Sequence, residues 1–100
     1  MKRKIAVIRG SGNVYRDTKR INADVEQLKA ILAAEIIKRL DKEDLTVRAA
    51  QAKTGIAAAD FSRIRNADLS RFTVDRLMSV INLLGARVEV AVKVRMARAA

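Results

Sequence analysis

The stretch LTVRAAQAKTGIAAADFSRIRN, residues 45–66, predicts two short helices joined at Gly55. Thr46 is a suitable N-cap because its hydroxyl oxygen accepts a hydrogen bond from the first free amides of a helix. Val47–Lys53 then supplies two helical turns. Gly55 occupies the point of reversal, since glycine readily adopts the positive φ that a sharp turn requires. The second helix is predicted from about Ala57 to Asn66.

The second of these helices has one apolar face and one polar face. Phe61 and Ile64 are three residues apart and therefore share a face, which we predict to be buried together with Ile56. The polar residues predicted to remain outside are Asp60, Ser62, Arg63 and Arg65. Two short helices with a glycine turn and a polar outer face form a helix-turn-helix in chemical terms, and such a face suits a DNA groove.

Length and composition favour one small domain with a polyanionic partner. The chain has 100 residues, of which 50% are hydrophobic and only 3% aromatic, so aliphatic side chains and alanine must fill the core. The formal net charge is +10, from 21 Lys and Arg against 11 Asp and Glu. This excess favours nucleic acid, although many small proteins are basic without a specific partner.

Several function classes are disfavoured by what the sequence lacks. There is no Cys and no His, which removes disulfides, thiol chemistry, the usual zinc site and histidine as a general base. No apolar run of about 18 residues indicates a membrane span, and the first apolar patch stops at Arg9, too soon for a secretory signal. We therefore expect a cytoplasmic protein that is not an enzyme and needs no cofactor.

The part of the chain before the motif divides into an arm and a long helix. Lys4–Arg9 predicts a short strand and Gly10–Asn13 a turn; a phosphate-binding loop is the alternative there, but the full glycine motif is missing. Val14–Ile21 is predicted to be irregular, with basic residues that either contact phosphate or belong to a solvated linker. Asn22 is predicted to cap a long helix that ends near Glu43.

The long helix has the clearest periodicity in the chain. Apolar residues recur at spacings of three and four, at Val25, Leu28, Leu32, Ile36 and Leu40. Ile31 and Ile37 widen this stripe. The stripe is either a core face alone or a core face that also meets a second subunit.

After the motif, Ala67–Phe72 is predicted to form a loop, and Thr73 to cap a helix over Val74–Leu84. Arg87–Arg95 alternates valine with polar residues and predicts a half-buried strand, which must pair with the N-terminal strand, with its own copy or with another protein. The predicted fold is therefore mostly α, about four helices with a C-terminal strand. Its parts are an arm (1–21), a helical DNA-binding domain (22–85, with the motif at 46–66) and a C-terminal strand and tail (86–100).

Residues 45–66 resemble the helix-turn-helix of the Cro/lambda-repressor-like (XRE) superfamily. The larger pattern resembles one of its branches, the small HigA-type antitoxins and related XRE regulators. That pattern adds GSGNVYRD at residues 10–17 and FTVDRLMSVINLLGARVEV at residues 72–90. The resemblance covers the chain from Gly10 to Val94 and implies a lambda-repressor-like helix-turn-helix bundle. It also implies a HigB/RelE-like ribonuclease toxin as a partner and repression of a shared operon.

Two positions depart from the pattern of that branch. Gln51 lies where the family usually has a small residue, so its amide is either turned outward or hydrogen-bonded. The second helix opens with three alanines where relatives often carry polar residues. Ala58 and Ala59 therefore offer thymine methyl groups an apolar contact rather than a hydrogen bond.

In the predicted complex, the second helix enters the major groove by its N-terminal end. Arg63 is the principal predicted base contact, because its planar fork matches guanine O6 and N7. Asp60 either accepts from cytosine N4 or repels phosphate. Predicted phosphate contacts are Arg48, Ser62, Arg71 and Thr73, and weaker candidates for DNA contact are Arg65 and Asn66. For each arginine the alternative is a solvated surface charge.

Three classes of function follow from these patterns. The first is a DNA-binding repressor that also serves as an antitoxin, and the second is a stand-alone XRE regulator without a toxin. An enzyme or an RNA-binding protein is the third, but the chain has few catalytic groups and few aromatic side chains for stacking. Specific binding by so small a module further predicts a homodimer on two half-sites about 34 Å apart.

Overall fold

The computed structural model describes residues 14–96, and the side chains of residues 22–96. Four helices succeed one another along the chain. They are α1 (Val14–Lys42), α2 (Val47–Thr54), α3 (Ala58–Arg65) and α4 (Val74–Leu83). The predicted N-terminal strand and turn (residues 4–13) and the last residues of the predicted tail lie outside the described residues. No helix in the described range is long and apolar enough to cross a membrane.

The chain divides into two compact units. Residues 29–88 form one of them, and the other includes the described segments 14–28 and 89–96. The helix α1 contributes residues to both units. Because α2, α3 and α4 all lie within residues 29–88, the predicted motif belongs entirely to this first unit.

The ends of the short helices are fixed by the caps that the sequence predicts. The Thr46 hydroxyl accepts a hydrogen bond from the amide of Ala49 at 3.0 Å, and the Thr73 hydroxyl accepts one from the amide of Arg76 at 3.1 Å. Gly55 ends α2 in the left-handed conformation, with φ +81°, a conformation that glycine adopts without the penalty of a β-carbon. These three predictions are confirmed.

The core of the first unit is aliphatic, with two phenylalanines. Phe61 and Ile64 are fully buried, as their spacing on α3 predicts. The helix α2 packs against both α3 and α4. The buried hydrophobic residues are Leu32, Ala33, Ile36, Leu40, Ala50, Phe61, Ile64, Leu69, Phe72, Leu77, Val80, Ile81 and Leu84. On α1 the fully buried part of the apolar stripe begins at Leu32, since Val25 is exposed and Leu28 is half-buried.

The predicted start of the long helix is wrong. The helix begins at Val14, so Val14–Ile21 is helical rather than irregular, and Asn22 lies inside α1 instead of capping it. This segment contains neither glycine nor proline. Extending an existing helix by a turn costs much less than nucleating a new one, and an internal asparagine costs only a fraction of a kcal/mol, about 0.7 or less.

The predicted C-terminal strand is not confirmed by the described residues. From Val88 to Met96 the backbone forms no helix and no strand, apart from an isolated β-bridge at Lys93. A strand is stable only when neighbouring strands satisfy its backbone groups. The strand therefore stays a prediction that depends on a pairing partner.

Candidate nucleic-acid interface

The helix α3 is held by two buried side chains and exposes the opposite face. Phe61 and Ile64 are both fully buried. At 100° per residue, the side chains farthest from this pair are Ala59 and Asn66, with Ser62 beside them. All three are exposed. The structure therefore presents an exposed face of small side chains on α3, and contact of this face with DNA stays a prediction.

The first turn of α3 is capped by a residue of α2. Ala57 is the N-cap residue of α3 and has no side chain that could accept a hydrogen bond. The Oε1 atom of Gln51 accepts a hydrogen bond from the amide of Ala58 at 2.9 Å instead. Both alternatives predicted for Gln51 therefore apply, because its side chain is exposed and also hydrogen-bonded. This bond ties the two helices of the motif together at the end that faces the predicted groove.

The turn between α2 and α3 is also stabilised by hydrogen bonds of Thr54. The Thr54 hydroxyl donates to the carbonyl of Ala50 at 2.7 Å and accepts from the amide of Ile56 at 3.1 Å. Both contacts are partly buried. Together with the left-handed Gly55, they fix the path of the chain into α3, so the orientation of α3 depends on local chemistry as well as on the core.

Asp60 connects two arginines beside the exposed face. Arg63 donates from Nη1 to Oδ1 of Asp60 at 2.8 Å, and Arg76 of α4 donates from Nη2 to Oδ2 at 3.1 Å. The Asp60 side chain is 19% exposed, whereas those of Arg63 and Arg76 are 32% and 52% exposed. Each carboxylate oxygen is therefore engaged, and the principal predicted base contact, Arg63, is held by a neighbour on its own helix.

The end of α3 is tied to the end of α1. Arg65 donates from Nη2 to Oδ1 of Asp41 at 2.9 Å. Both side chains are solvent-accessible, so the ion pair adds little to stability. It does orient the Arg65 guanidinium toward α1, which leaves Arg65 a weaker candidate for DNA contact than Arg63.

The end of α2 is connected by a separate ion pair to Glu43, the residue that follows α1. Lys53 donates from Nζ to Oε1 of Glu43 at 2.6 Å, and Nε of Arg39 lies 3.7 Å from the other carboxylate oxygen. The hydrogen bond from Lys53, helped by the charges of Lys53 and Arg39, holds the pKa of Glu43 below its usual value of 4.5, against a smaller opposing effect of desolvation. This contact connects α2 to the end of α1 at the surface, where an ion pair adds little to stability.

The predicted phosphate contacts lie on the surface of the same unit. Arg48 at the start of α2 and Arg71 in the loop before α4 are both exposed, and neither forms an ion pair with another residue of the described chain. The Thr73 hydroxyl accepts the capping hydrogen bond of α4, so only its remaining hydrogen-bonding capacity is open to a phosphate. The predicted contacts of Arg48, Arg71 and Thr73 stay predictions.

The sequence patterns do not identify the contact of Arg76, and they give the hydrogen bond of Gln51 only as one of two alternatives without its partner. Arg76 lies 16 residues after Asp60, and no spacing rule links them, because their contact depends on the packing of α4 beside α3. The available signal for Arg76 was its position three residues after the capping Thr73, which places it in the first turn of a predicted helix. The acceptor role of Gln51 follows from the alanines at the start of α3, which leave a helix amide without a local partner. Within the described part of the chain, no group of Asp and Glu side chains is suited to hold a metal ion.

The chain matches a family model described as a helix-turn-helix domain over residues 14–93, which is 80 of its 100 residues. The match includes all four helices of the described structure and the whole of the motif at residues 45–66. No curated protein and no solved structure matches the chain. The match supports the helix-turn-helix part of the resemblance and does not distinguish the HigA-type branch.

Proposed function

Because the chain belongs to the helix-turn-helix domain family, we propose that it is a transcriptional regulator that binds double-stranded DNA sequence-specifically through α3. The observation that carries this proposal is the division of α3 into a buried side and an open side. Phe61 and Ile64 are fully buried, while Ala59 and Ser62 are exposed beside the held guanidinium of Arg63. A helix that is fixed by buried side chains and carries small exposed ones can approach base edges in a major groove closely.

In the proposed complex, α3 enters the major groove with its N-terminal end. Arg63 donates to O6 and N7 of a guanine, and the methyl groups of Ala58 and Ala59 contact thymine methyls. Arg48 and Arg71 neutralise backbone phosphates on either side of α3. The net charge of +10 supports such binding, because every phosphate contact by Lys or Arg releases counterions from the DNA.

We propose that the regulator acts as a homodimer paired through its C-terminal segment. The segment VEVAVKV, residues 88–94, exposes an alternating set of apolar side chains. Val90 and Val92 are each 60% exposed and Val94 is 66% exposed, and Met96 just beyond them is 89% exposed. Pairing with a second copy would remove these apolar side chains from water.

The sequence of this segment supports antiparallel pairing with its own copy. In a register centred on Ala91, Glu89 of one copy lies opposite Lys93 of the other, so both ends of the pairing gain opposite charges. The variant Val92→Lys places two lysines in the middle of the apolar set and is expected to shift the protein toward the monomer in analytical ultracentrifugation. The control Gln27→Lys adds the same charge at an exposed position of α1 and should leave the sedimentation coefficient unchanged.

We further propose, on the resemblance to HigA-type antitoxins, that the protein represses its own operon and neutralises a HigB/RelE-like ribonuclease toxin. A stand-alone XRE regulator without a toxin is the alternative. A ribonuclease-like gene beside this one, whose product forms a complex with the purified protein, would favour the antitoxin. Absence of such a neighbouring gene would favour the stand-alone regulator.

The proposed DNA binding is tested by fluorescence anisotropy with the DNA upstream of the gene and a scrambled duplex, each across a salt series. The variant Arg63→Ala is expected to lose about 1–3 kcal/mol of binding free energy for the upstream DNA. Arg63→Lys should recover little of this loss, because lysine keeps the charge but lacks the planar fork. The matched control is Arg87→Ala, which removes an exposed arginine outside the motif.

The two duplexes decide between specific and non-specific binding. Tight binding to the upstream DNA alone, lost with Arg63→Ala and kept with Arg87→Ala, supports the proposal. Equal and strongly salt-dependent binding to both duplexes would show that charge alone acts, and it would exclude sequence-specific recognition by α3.

A further inference from the structure

The Asp60 carboxylate fixes which edge of the Arg63 guanidinium remains open. Arg63 uses Nη1 to reach Oδ1 of Asp60 at 2.8 Å. A guanidinium carries five N–H donors, and those on Nε and Nη2 have no partner among the residues that the structure describes. These two atoms form one edge of the planar group, with two parallel donors. An edge of this kind matches the paired acceptors O6 and N7 of guanine.

Arg76 holds the carboxylate from its other side. Its Nη2 lies 3.1 Å from Oδ2 of Asp60, and it reaches there from the first turn of α4. The Asp60 carboxylate is therefore fixed from two helices and cannot rotate without breaking one of the two ion pairs. Because Asp60 is only 19% exposed, solvent weakens these contacts less than it weakens the surface pairs.

We propose that Asp60 is a positioning residue that presents the Nε–Nη2 edge of Arg63 to a guanine and thereby sets the base preference of α3. This inference rests on the proposed function and names the residue that makes the recognition selective. A free arginine has a long flexible side chain and is attracted to any nearby phosphate. Held by Asp60, Arg63 has already lost that freedom before it meets DNA, so less is lost when the base contact forms.

The same geometry argues against a direct base contact by Asp60. Accepting a hydrogen bond from cytosine N4 would compete with two charge-assisted hydrogen bonds, one to each oxygen. The role of Asp60 is also electrostatic, since Asp60, Arg63 and Arg76 together carry one net positive charge rather than two. Neutralising Asp60 therefore releases two arginines to phosphates anywhere on the DNA.

The test is selection from a duplex DNA library with a randomised central region, read by sequencing the bound fraction. The variant Asp60→Asn keeps the shape of the side chain and removes its charge. The matched control is Asp75→Asn, which makes the same charge change in the first turn of α4 at an exposed residue without an ion pair in the described structure. Circular dichroism melting curves of both variants verify that each is folded under the binding conditions.

The wild type is expected to select a guanine at one position of each half-site, and Arg63→Ala to lose it. Asp60→Asn should reduce the preference for that guanine by about tenfold, the size of one good bidentate contact, while Asp75→Asn retains it. Asp60→Asn should also steepen the dependence of log K on log salt by about 1 to 2, since one or two released arginines find phosphates.

Two results would overturn the inference, and they differ from each other. If Asp60→Asn keeps the full guanine preference and binds all duplexes more tightly, Asp60 contributes only its charge, and sequence-specific binding by α3 still stands. If the wild type itself selects no sequence, the proposed function fails and the positioning role fails with it.

Discussion

Replacing Gln51 with alanine is expected to destabilise the protein through the first turn of α3. The Gln51 side chain provides the acceptor for the amide of Ala58 at 2.9 Å, and the N-cap residue Ala57 provides none. Loss of a capping side chain costs about 0.5–2 kcal/mol, and the exposed position of Gln51 places it in the lower half of that range. We therefore expect Gln51→Ala to lower the free energy of unfolding by about 0.5–1 kcal/mol.

The measurement is thermal and urea unfolding followed by circular dichroism. For a protein of 100 residues, the expected loss corresponds to a decrease in Tm of about 2–8 °C. The control is Gln27→Ala, which makes the same substitution on an exposed face of α1, where no hydrogen bond to another described residue is lost. Since both variants exchange glutamine for alanine inside a helix, their difference isolates the capping bond.

A second pair of variants tests the mechanism. Gln51→Glu keeps an acceptor and adds a negative charge at the positive end of α3, so it should be at least as stable as the wild type. Ala57→Ser in the Gln51→Ala background should restore a comparable stability, because the serine hydroxyl accepts from another open amide of the same turn. If Gln51→Ala unfolds at the same temperature as Gln27→Ala, the bond between α2 and α3 contributes nothing to stability and the reasoning is refuted.

Three further predictions concern the same unit. The free energy of unfolding should fall as the pH drops below about 4.5, because the pKa of Glu43 is lowered in the folded state and its protonation weakens the bond from Lys53. In urea titrations, Glu43→Gln should make the stability less dependent on pH in this acidic range. Gly55→Ala should cost about 1–2 kcal/mol of unfolding free energy because φ is +81° and not because of crowding, so Gly55→Asn should cost clearly less in the same titration. Phe61→Ala should lower the free energy of unfolding by about 3–5 kcal/mol, so that the variant shows no cooperative unfolding transition on heating from room temperature. A cooperative transition close to that of the wild type would contradict the place of Phe61 in the core.

The sequence predicted well those features that depend on a few neighbouring residues. The caps at Thr46 and Thr73 and the left-handed Gly55 are properties of single helix ends, and all three are confirmed. The common buried face of Phe61 and Ile64 is predicted by their helical spacing and their apolar character. In each case the sequence signal lies within four residues along the chain.

The features that the sequence did not predict depend on contacts between distant segments or on the absence of a stop signal. The start of α1 at Val14 was predicted eight residues too late, because Asn22 is compatible with both a cap and an interior position and no glycine or proline between Val14 and Ile21 decides between them. The contact of Arg76 with Asp60 depends on how α4 lies beside α3. The C-terminal strand has a clear alternating pattern, but a pattern does not identify the partner that pairs with it.

The composition of α3 limits how much specificity it can supply. Its first turn contributes Ala58 and Ala59, whose methyl groups distinguish bases weakly, so Arg63 is the main source of hydrogen-bonded discrimination. One bidentate guanine contact provides about 1–3 kcal/mol, and two half-sites of a dimer provide about 2–6 kcal/mol. Specific binding commonly exceeds non-specific binding by about 4–10 kcal/mol.

The remainder must come from the shape and deformability of the DNA, which backbone contacts such as those proposed for Arg48 and Arg71 can detect without touching a base. We therefore expect base substitutions outside the contacted guanines, at steps that change minor-groove width, to weaken binding measurably in anisotropy titrations. If only the contacted guanines matter, the total specificity should stay within the range that two Arg63 contacts can supply.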